Sequence, residues 1–156
     1  MKKKKPKLCF AASCGGHLDE LLMLYPLMER YESFLVTEKT SFETAAAGIR
    51  RYNLLQVNRL EKTCIPRLIF NGLCALKIYL AERPDVVICT GVLAMIPLCL
   101  VCKAFGKKLI YIESFAKVKS PTRTGMLLYR FADRFYVQWP QMLECYPKAI
   151  YRGGIY

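Results

Sequence analysis

Residues 7–17 read KLCFAASCGGH, and the change of texture within this stretch decides the fold. Leu8 to Ala12 form an unbroken apolar run of strand length, Ser13 to Gly16 are small residues with two adjacent glycines, and from His17 an amphipathic pattern of helical period takes over. A strand without polar alternation is buried on both faces, which an isolated hairpin cannot provide and a helix-covered parallel sheet can.

The same succession recurs outward along the chain. Apolar, β-prone runs at 7–12, 33–37, 53–57, 85–90, 108–112 and 134–137 alternate with helical patterns at 17–30, 41–51, 66–82, 92–105 and 124–133, with a short one at 140–145. A further strand is expected at 149–151. This is the signature of βαβ units, and it predicts a Rossmann-like, three-layer α/β domain with a parallel sheet. In such a sheet the functional crevice lies at the carboxyl ends of the strands. Three loops should meet there: 13–16, 90–91 and 113–122. With no internal repeat, low-complexity linker or second core, residues 1–156 read as one domain behind a basic tail at 1–6.

A formal net charge of +12, from 24 Lys and Arg against 12 Asp and Glu, means that the surface attracts polyanions: phosphates, nucleic acid or anionic lipid headgroups. No nucleic-acid-binding motif, with aromatic residues interleaved among basic ones, accompanies it, so nucleic acid is not an expected partner. The lysines at 2–5 run into Pro6 and Lys7 without the apolar core and cleavage site of a signal peptide. The eight cysteines therefore read as reduced thiols of a cytosolic protein, several of them in apolar runs. Cys99 and Cys102 have C-x-x-C spacing, but they lie inside an apolar helix without a second pair and read as core. No apolar run reaches the roughly 20 residues of a membrane span. The longest uncharged stretch, 86–102, is interrupted by Gly91 and Pro97 and reads as strand, turn and helix. The helix near 65–80 is apolar over more of its circumference than one core-facing stripe requires. It carries Arg67 and Lys77, and reads either as an interfacial membrane surface or as a helix enclosed on all sides.

Three motifs could carry chemistry. In SCGGH, Ser13 to His17, the glycines allow close backbone approach to a ligand and the free N–H groups at the helix start favour an anion such as a diphosphate. The competing reading is a tight strand-to-helix turn. Neither the G-x-G-x-x-G fingerprint nor a P-loop is present. His17, the sole histidine, is a candidate general base or donor to a substrate hydroxyl or phosphate. With no second histidine, and with no carboxylate or cysteine recognised at ligand spacing, no metal site is expected. In ICTG, Ile88 to Gly91, Thr90 and Gly91 would bring a hydroxyl and backbone to the crevice floor. In IESFAKVKSPTRTG, Glu113 stands just past a central strand, where it could accept a proton from an attacking hydroxyl, orient an acceptor sugar, or pair with a nearby lysine. Behind it, Ser114, Lys117, Lys119 and Arg123 suit a phosphate or anionic headgroup.

Taken together, SCGGH, RPDVVICTG, IESFAKVKSPTRTG and LLYRFADRFYVQWP resemble the acceptor-side, membrane-associated subunit of two-subunit GT-B glycosyltransferases. That group includes the eukaryotic UDP-N-acetylglucosamine transferase subunit of asparagine-linked glycosylation and bacterial capsule and exopolysaccharide relatives of the PssD type. The chain also resembles the N-terminal half of MurG. The resemblance runs from Leu8 to Gly154. It implies the N-terminal half of a GT-B enzyme, which binds the membrane and a lipid-diphosphate-linked sugar acceptor while a separate small subunit binds the UDP-sugar donor. It implies no cofactor. By position, Gly15, Gly16 and His17 match the acceptor-side loop, Glu113 the crevice glutamate, and Thr90 with Gly91 the loop between them. Eukaryotic members usually carry an N-terminal membrane helix, whereas this chain opens on lysines, so the expectation is peripheral attachment to the cytoplasmic face of the plasma membrane, as in the bacterial branch. The implied reaction is transfer of a hexose or N-acetylhexosamine to an undecaprenyl-diphosphate-linked sugar in capsule or exopolysaccharide synthesis, with little activity expected of this chain alone. The alternatives are a non-catalytic membrane scaffold that activates the partner and a Rossmann-type regulatory domain, the second weakened by the missing dinucleotide fingerprint.

Overall fold

The computed structural model describes residues 5–39 and 48–156. Seven parallel strands form one sheet in the order β3-β2-β1-β4-β5-β6-β7. They are β1 (Leu8–Ala11), β2 (Ser33–Glu38), β3 (Arg50–Leu54), β4 (Val86–Cys89), β5 (Lys108–Ile112), β6 (Arg134–Val137) and β7 (Ile150–Tyr151). The helices are α1 (Gly16–Leu22), α2 (Tyr25–Arg30), α3 (Cys64–Glu82), α4 (Ile96–Ala104) and α5 (Arg123–Leu128).

Successive residues of each strand alternate between the two faces. Cys9, Ala11, Phe34, Val36, Val87, Cys89, Leu109 and Tyr111 enter the core shared with α3, α4 and α5. Leu8, Phe10, Ala12, Leu35, Ile88 and Ile112 enter the core beneath α1 and α2. This two-sided burial is why β1 and β4 are wholly apolar, and the expected three-layer α/β architecture is borne out. The chain winds outward from β1 through β2 to β3, then crosses back by α3 to place β4 on the other side of β1. The order of winding therefore reverses between β1 and β4, where neighbouring loops part and leave a crevice.

Four sequence expectations are corrected. The helix expected over 17–30 is two helices, because the chain turns at Met23 and Leu24 and Pro26 occupies the first turn of α2, where its missing N–H costs nothing. The third strand spans 50–54 rather than 53–57. Asn71, fully buried on α3, accepts from Leu55 N–H and donates to Leu55 C=O, both at 2.9 Å, which takes those groups out of the ladder. As an edge strand, β3 tolerates the charged Arg50 and Arg51. A helix over 41–51 is thereby excluded at its end, and its residues 41–47 lie outside the described ones, as do residues 1–4 of the basic tail. Third, α5 ends at Leu128 rather than 133. Asp133 is pulled toward the sheet, its carboxylate accepting from Leu109 N–H at 2.8 Å and pairing with Lys103 at 2.6 Å.

The last correction concerns α3. With 19 residues it is, by length and composition, long and apolar enough to cross a membrane. It is nevertheless built into the fold. Asn71, Ala75, Ile78, Tyr79 and Glu82 follow one stripe that faces α4 and the sheet and is buried. The opposite stripe, Ile65, Ile69, Leu73, Leu76 and Leu80, is equally apolar and exposed, with Leu73 59% accessible. The enclosed-helix reading is thus ruled out, since one whole face of α3 is uncovered.

All eight cysteines are free, and Cys99 and Cys102 are buried on α4. Burial pushes the Cys9 thiol well up and the Cys102 thiol to about 12, as suits core residues that do not ionise.

Candidate functional site

The crevice at the β1–β4 switch point is built from backbone outward. Gly15, at φ 78, turns the chain from β1 into α1 and offers its carbonyl to the N–H groups of Leu18 and Asp19. A residue with a Cβ would be strained there. Thr90, fully buried at the end of β4, donates its hydroxyl to the His17 carbonyl at 2.7 Å and so ties α1 to the neighbouring strand. Gly91, at φ 116, passes directly under the imidazole. A Cβ on Gly91 would stand 3.3 Å from His17 Cε1, so the glycine is what lets the ring lie across the β4 loop.

His17 then opens, with Gly16, Ser114, Phe115, Ala116 and Tyr156, onto a cleft of about 320 Å³. Its floor includes a residue the sequence reading passed over. Glu20, one turn along α1, is buried, and its Oε1 accepts from the Phe115 N–H at 2.5 Å. Its Oε2 lies 3.6 Å from His17 Nδ1, and neither of those two buried atoms has a hydrogen-bond partner. The spacing H-x-x-E is legible in the sequence as one helical face. Only the packing shows that this carboxylate points inward.

Glu113 behaves differently from the expectation of a crevice base or lysine partner. It is 1% exposed, and neutral donors saturate its carboxylate: Ser114 N–H at 2.9 Å, Thr122 N–H at 3.2 Å, the Thr122 hydroxyl at 2.9 Å and the Tyr146 hydroxyl at 2.6 Å. Thr122 in turn caps α5, accepting from Gly125 N–H at 2.8 Å. Gly125 fits because a Cβ there would collide with Glu113 Oε2 and stand 2.5 Å from the Tyr146 hydroxyl. Burial, then the bond to Glu113, push the Tyr146 phenol far up, which keeps it a donor. Glu113 thus pins the loop that carries Ser114 and Phe115 and does not face the cleft. Gln138 and Trp139 brace the same loop, donating to the carbonyls of Glu113 at 3.0 Å and Phe115 at 2.6 Å.

The remaining residues predicted for the site divide into groups. Gly15 and Gly16 are exposed at the rim, and Ser13 is buried beneath it. Lys117 and Arg123 line a second, larger cleft, about 850 Å³, with Asn58, Arg59, Leu93 and Leu127. Arg59 belongs to this basic group and lay outside the sequence-derived set. Lys119 lines neither cleft; it is exposed, and its carbonyl accepts from Cys145. Among the described residues no group of His, Cys, Asp or Glu is arranged to hold a metal.

Residues 8–155 match the family model described as oligosaccharide biosynthesis protein Alg14 like.

The chain belongs to the Alg14 family.

It is 37% identical to the UDP-N-acetylglucosamine transferase subunit ALG14 of Mus musculus, over 96% of this chain and 82% of that protein. It is 28% identical to the subunit of the same name from Yarrowia lipolytica, over 97% of this chain and 82% of that one. Among solved structures, MurG of Acinetobacter baumannii superposes with a TM-score of 0.71 at 18% identity, over 87% of this chain and 42% of MurG. The UDP-N-acetylglucosamine 2-epimerase of Rickettsia bellii superposes with a TM-score of 0.74 at 8% identity, over 97% of this chain and 45% of the epimerase. At such identities the two structures share the fold, and the chain spans less than half of either. The chain thus has an α/β, Rossmann-like fold of the kind seen in part of MurG and of the epimerase, with its crevice at the β1–β4 switch.

Proposed function

We propose that this chain is the acceptor-binding, membrane-attaching subunit of a two-component glycosyltransferase. It would act with a small donor-binding subunit to move a hexose or N-acetylhexosamine from a UDP-sugar to a lipid-diphosphate-linked sugar. One observation carries the reading: a single partly exposed histidine stands at the switch point of a domain equivalent to under half of MurG. We assign this cleft, with its acid–base group, to the acceptor and the donor site to a second chain. The relatives' description as a transferase subunit supports the same division.

In this mechanism the lipid diphosphate lies against the exposed Gly15–Gly16 turn and the basic cleft of Lys117, Arg123 and Arg59, with Lys119 near its rim supplying longer-range attraction. The acceptor hydroxyl points at His17, which takes its proton as the new glycosidic bond forms. Glu113 acts indirectly, as a positioning residue that holds the Ser114–Ala116 wall. No bound metal or other cofactor enters the scheme, because donor groups of the partner would meet the charge on the departing UDP. The exposed stripe of α3, continued by Leu60 and flanked by basic residues, lies on the cytoplasmic face of a membrane without crossing it. Undecaprenyl diphosphate, in capsule or exopolysaccharide assembly, is the carrier we assign.

The test is sugar transfer from radiolabelled UDP-sugars to polyprenyl-diphosphate-sugar acceptors by this chain, its partner, and both together. The expected result is transfer only by the pair, lost in His17→Ala. Transfer by the partner alone, merely enhanced by this chain with or without His17, would make the chain a scaffold.

A further inference from the structure

We propose that Glu20 is a positioning residue that sets the tautomer of His17, holding the proton on Nδ1 so that Nε2 presents its lone pair to the cleft. This deepens the role given to His17 above and rests on it for its catalytic meaning.

His17 Nδ1 and Glu20 Oε2 are both buried, neither is hydrogen-bonded, and they lie 3.6 Å apart on one face of α1. At that distance they are not yet bonded, but a small side-chain rotation brings them within the usual 2.7–3.2 Å. Each unpaired buried polar atom carries the penalty of lost hydration, so pairing removes two penalties at once. The other Glu20 oxygen is already occupied. Phe115 N–H donates to Oε1, which fixes the orientation of the carboxylate and leaves Oε2 as the acceptor toward the ring.

An ionised carboxylate only accepts, so the atom facing it must be N–H. In a neutral imidazole this leaves Nε2 unprotonated. Nδ1 is buried although the ring as a whole is 27% exposed, so the exposure lies on the rest of the ring, toward the cleft. Glu38 also acts on the ring; burial pushes its carboxyl up, and its backbone C=O is engaged by the Cys14 thiol. Asp19, on the same helix, is exposed. Glu20 is thus the one of these acidic groups paired with Nδ1. During transfer the acceptor hydroxyl proton would pass to Nε2 as its oxygen bonds the anomeric carbon. The bond from that carbon to UDP breaks, UDP leaves with the electron pair, and the imidazolium is held by Glu20 until it releases its proton to solvent.

Glu20→Gln makes a sharp prediction. The glutamine carbonyl must face the Phe115 N–H, because that group only donates, so the NH₂ end turns toward Nδ1. An NH₂ there requires a lone pair on Nδ1, and the ring proton moves to Nε2. The single histidine makes the measurement unambiguous: imidazole ¹⁵N shifts of the full chain, recorded at about pH 9, above the ordinary imidazole range. We expect a protonated Nδ1 in the native protein, a protonated Nε2 in Glu20→Gln, and a mixture in Glu20→Ala. A native protein already protonated on Nε2 overturns the proposal even if the variants fail to fold; so does a folded Glu20→Gln with the native pattern. In the transfer assay with the partner, Glu20→Gln should lower kcat at least about tenfold with KM within about twofold. Full activity in His17→Ala would instead overturn the function assigned to His17 while leaving the tautomer result standing.

Discussion

The Tyr146 hydroxyl donates to Glu113 Oε2 at 2.6 Å, across 33 residues of chain, and in doing so holds the loop after β5 against the turn after β6. Tyr146 touches neither cleft. Removing its hydroxyl takes one charge-assisted bond from a buried carboxylate that keeps its Thr122 donors. Tyr146→Phe should therefore cost about 1–3 kcal/mol in denaturant unfolding. In the transfer assay it should raise the acceptor KM several-fold, through the loosened Ser114–Ala116 wall, with kcat within about twofold. An equal loss of kcat would mean that Glu113 takes part directly.

Gly125 is the tightest position of the same network. In Gly125→Ala the new methyl meets Glu113, Thr122 and Tyr146, none of which can withdraw without breaking a buried hydrogen bond. We expect overpacking of about 2–3 kcal/mol, visible as a lowered Tm, although alanine is the better helix former. A neutral or stabilising outcome would show that the network yields.

Glu82 joins three elements. It pairs with Lys7 before β1 at 2.5 Å, and with Arg50 at 2.8 Å and Tyr52 at 2.5 Å, both on β3. Burial alone would push its carboxyl up, but the bonds from Lys7, Tyr52 and Arg50 outweigh that and hold it at about 2 against an ordinary 4.5. A depressed folded value stabilises fully above the unfolded pKa and is lost as pH falls through the folded one. The network's contribution, about 2–3 kcal/mol, should therefore be complete above about pH 4.5 and vanish toward pH 2. Urea unfolding of the native chain and Glu82→Gln should differ near neutrality and converge in acid.

The exposed stripe of α3 can be altered without touching the core. Ile69 and Leu73 are 63% and 59% accessible, so Ile69→Ser with Leu73→Ser should leave the melting temperature within about 2 °C. Sedimentation with vesicles containing anionic lipid should weaken at least about tenfold, since each side chain loses roughly 1 kcal/mol or more of lipid burial. Unchanged binding would move the membrane surface elsewhere.

For the basic cleft, Lys117→Ala with Arg123→Ala should raise KM for a lipid-diphosphate acceptor about tenfold and flatten its dependence on salt, leaving kcat nearly intact. A fall in kcat alone would place these side chains at the reacting centre.

The parallel α/β sheet, the crevice loops and the surplus apolar face of α3 were all legible in residue order, because burial on two faces and helical period are local properties of a chain. Where β3 ends, which way Glu113 turns and what stands behind His17 were not. Those depend on Asn71 reaching Leu55, on Tyr146 and Gly125 closing around a carboxylate, and on Phe115 N–H fixing one oxygen of Glu20 from 95 residues away. The sequence by itself determined that a histidine and a glutamate would sit near the strand ends. Only the tertiary structure decided that Glu113 is sealed in the wall and that Glu20 faces the ring, because a buried polar group takes its role from the donors packing brings to it.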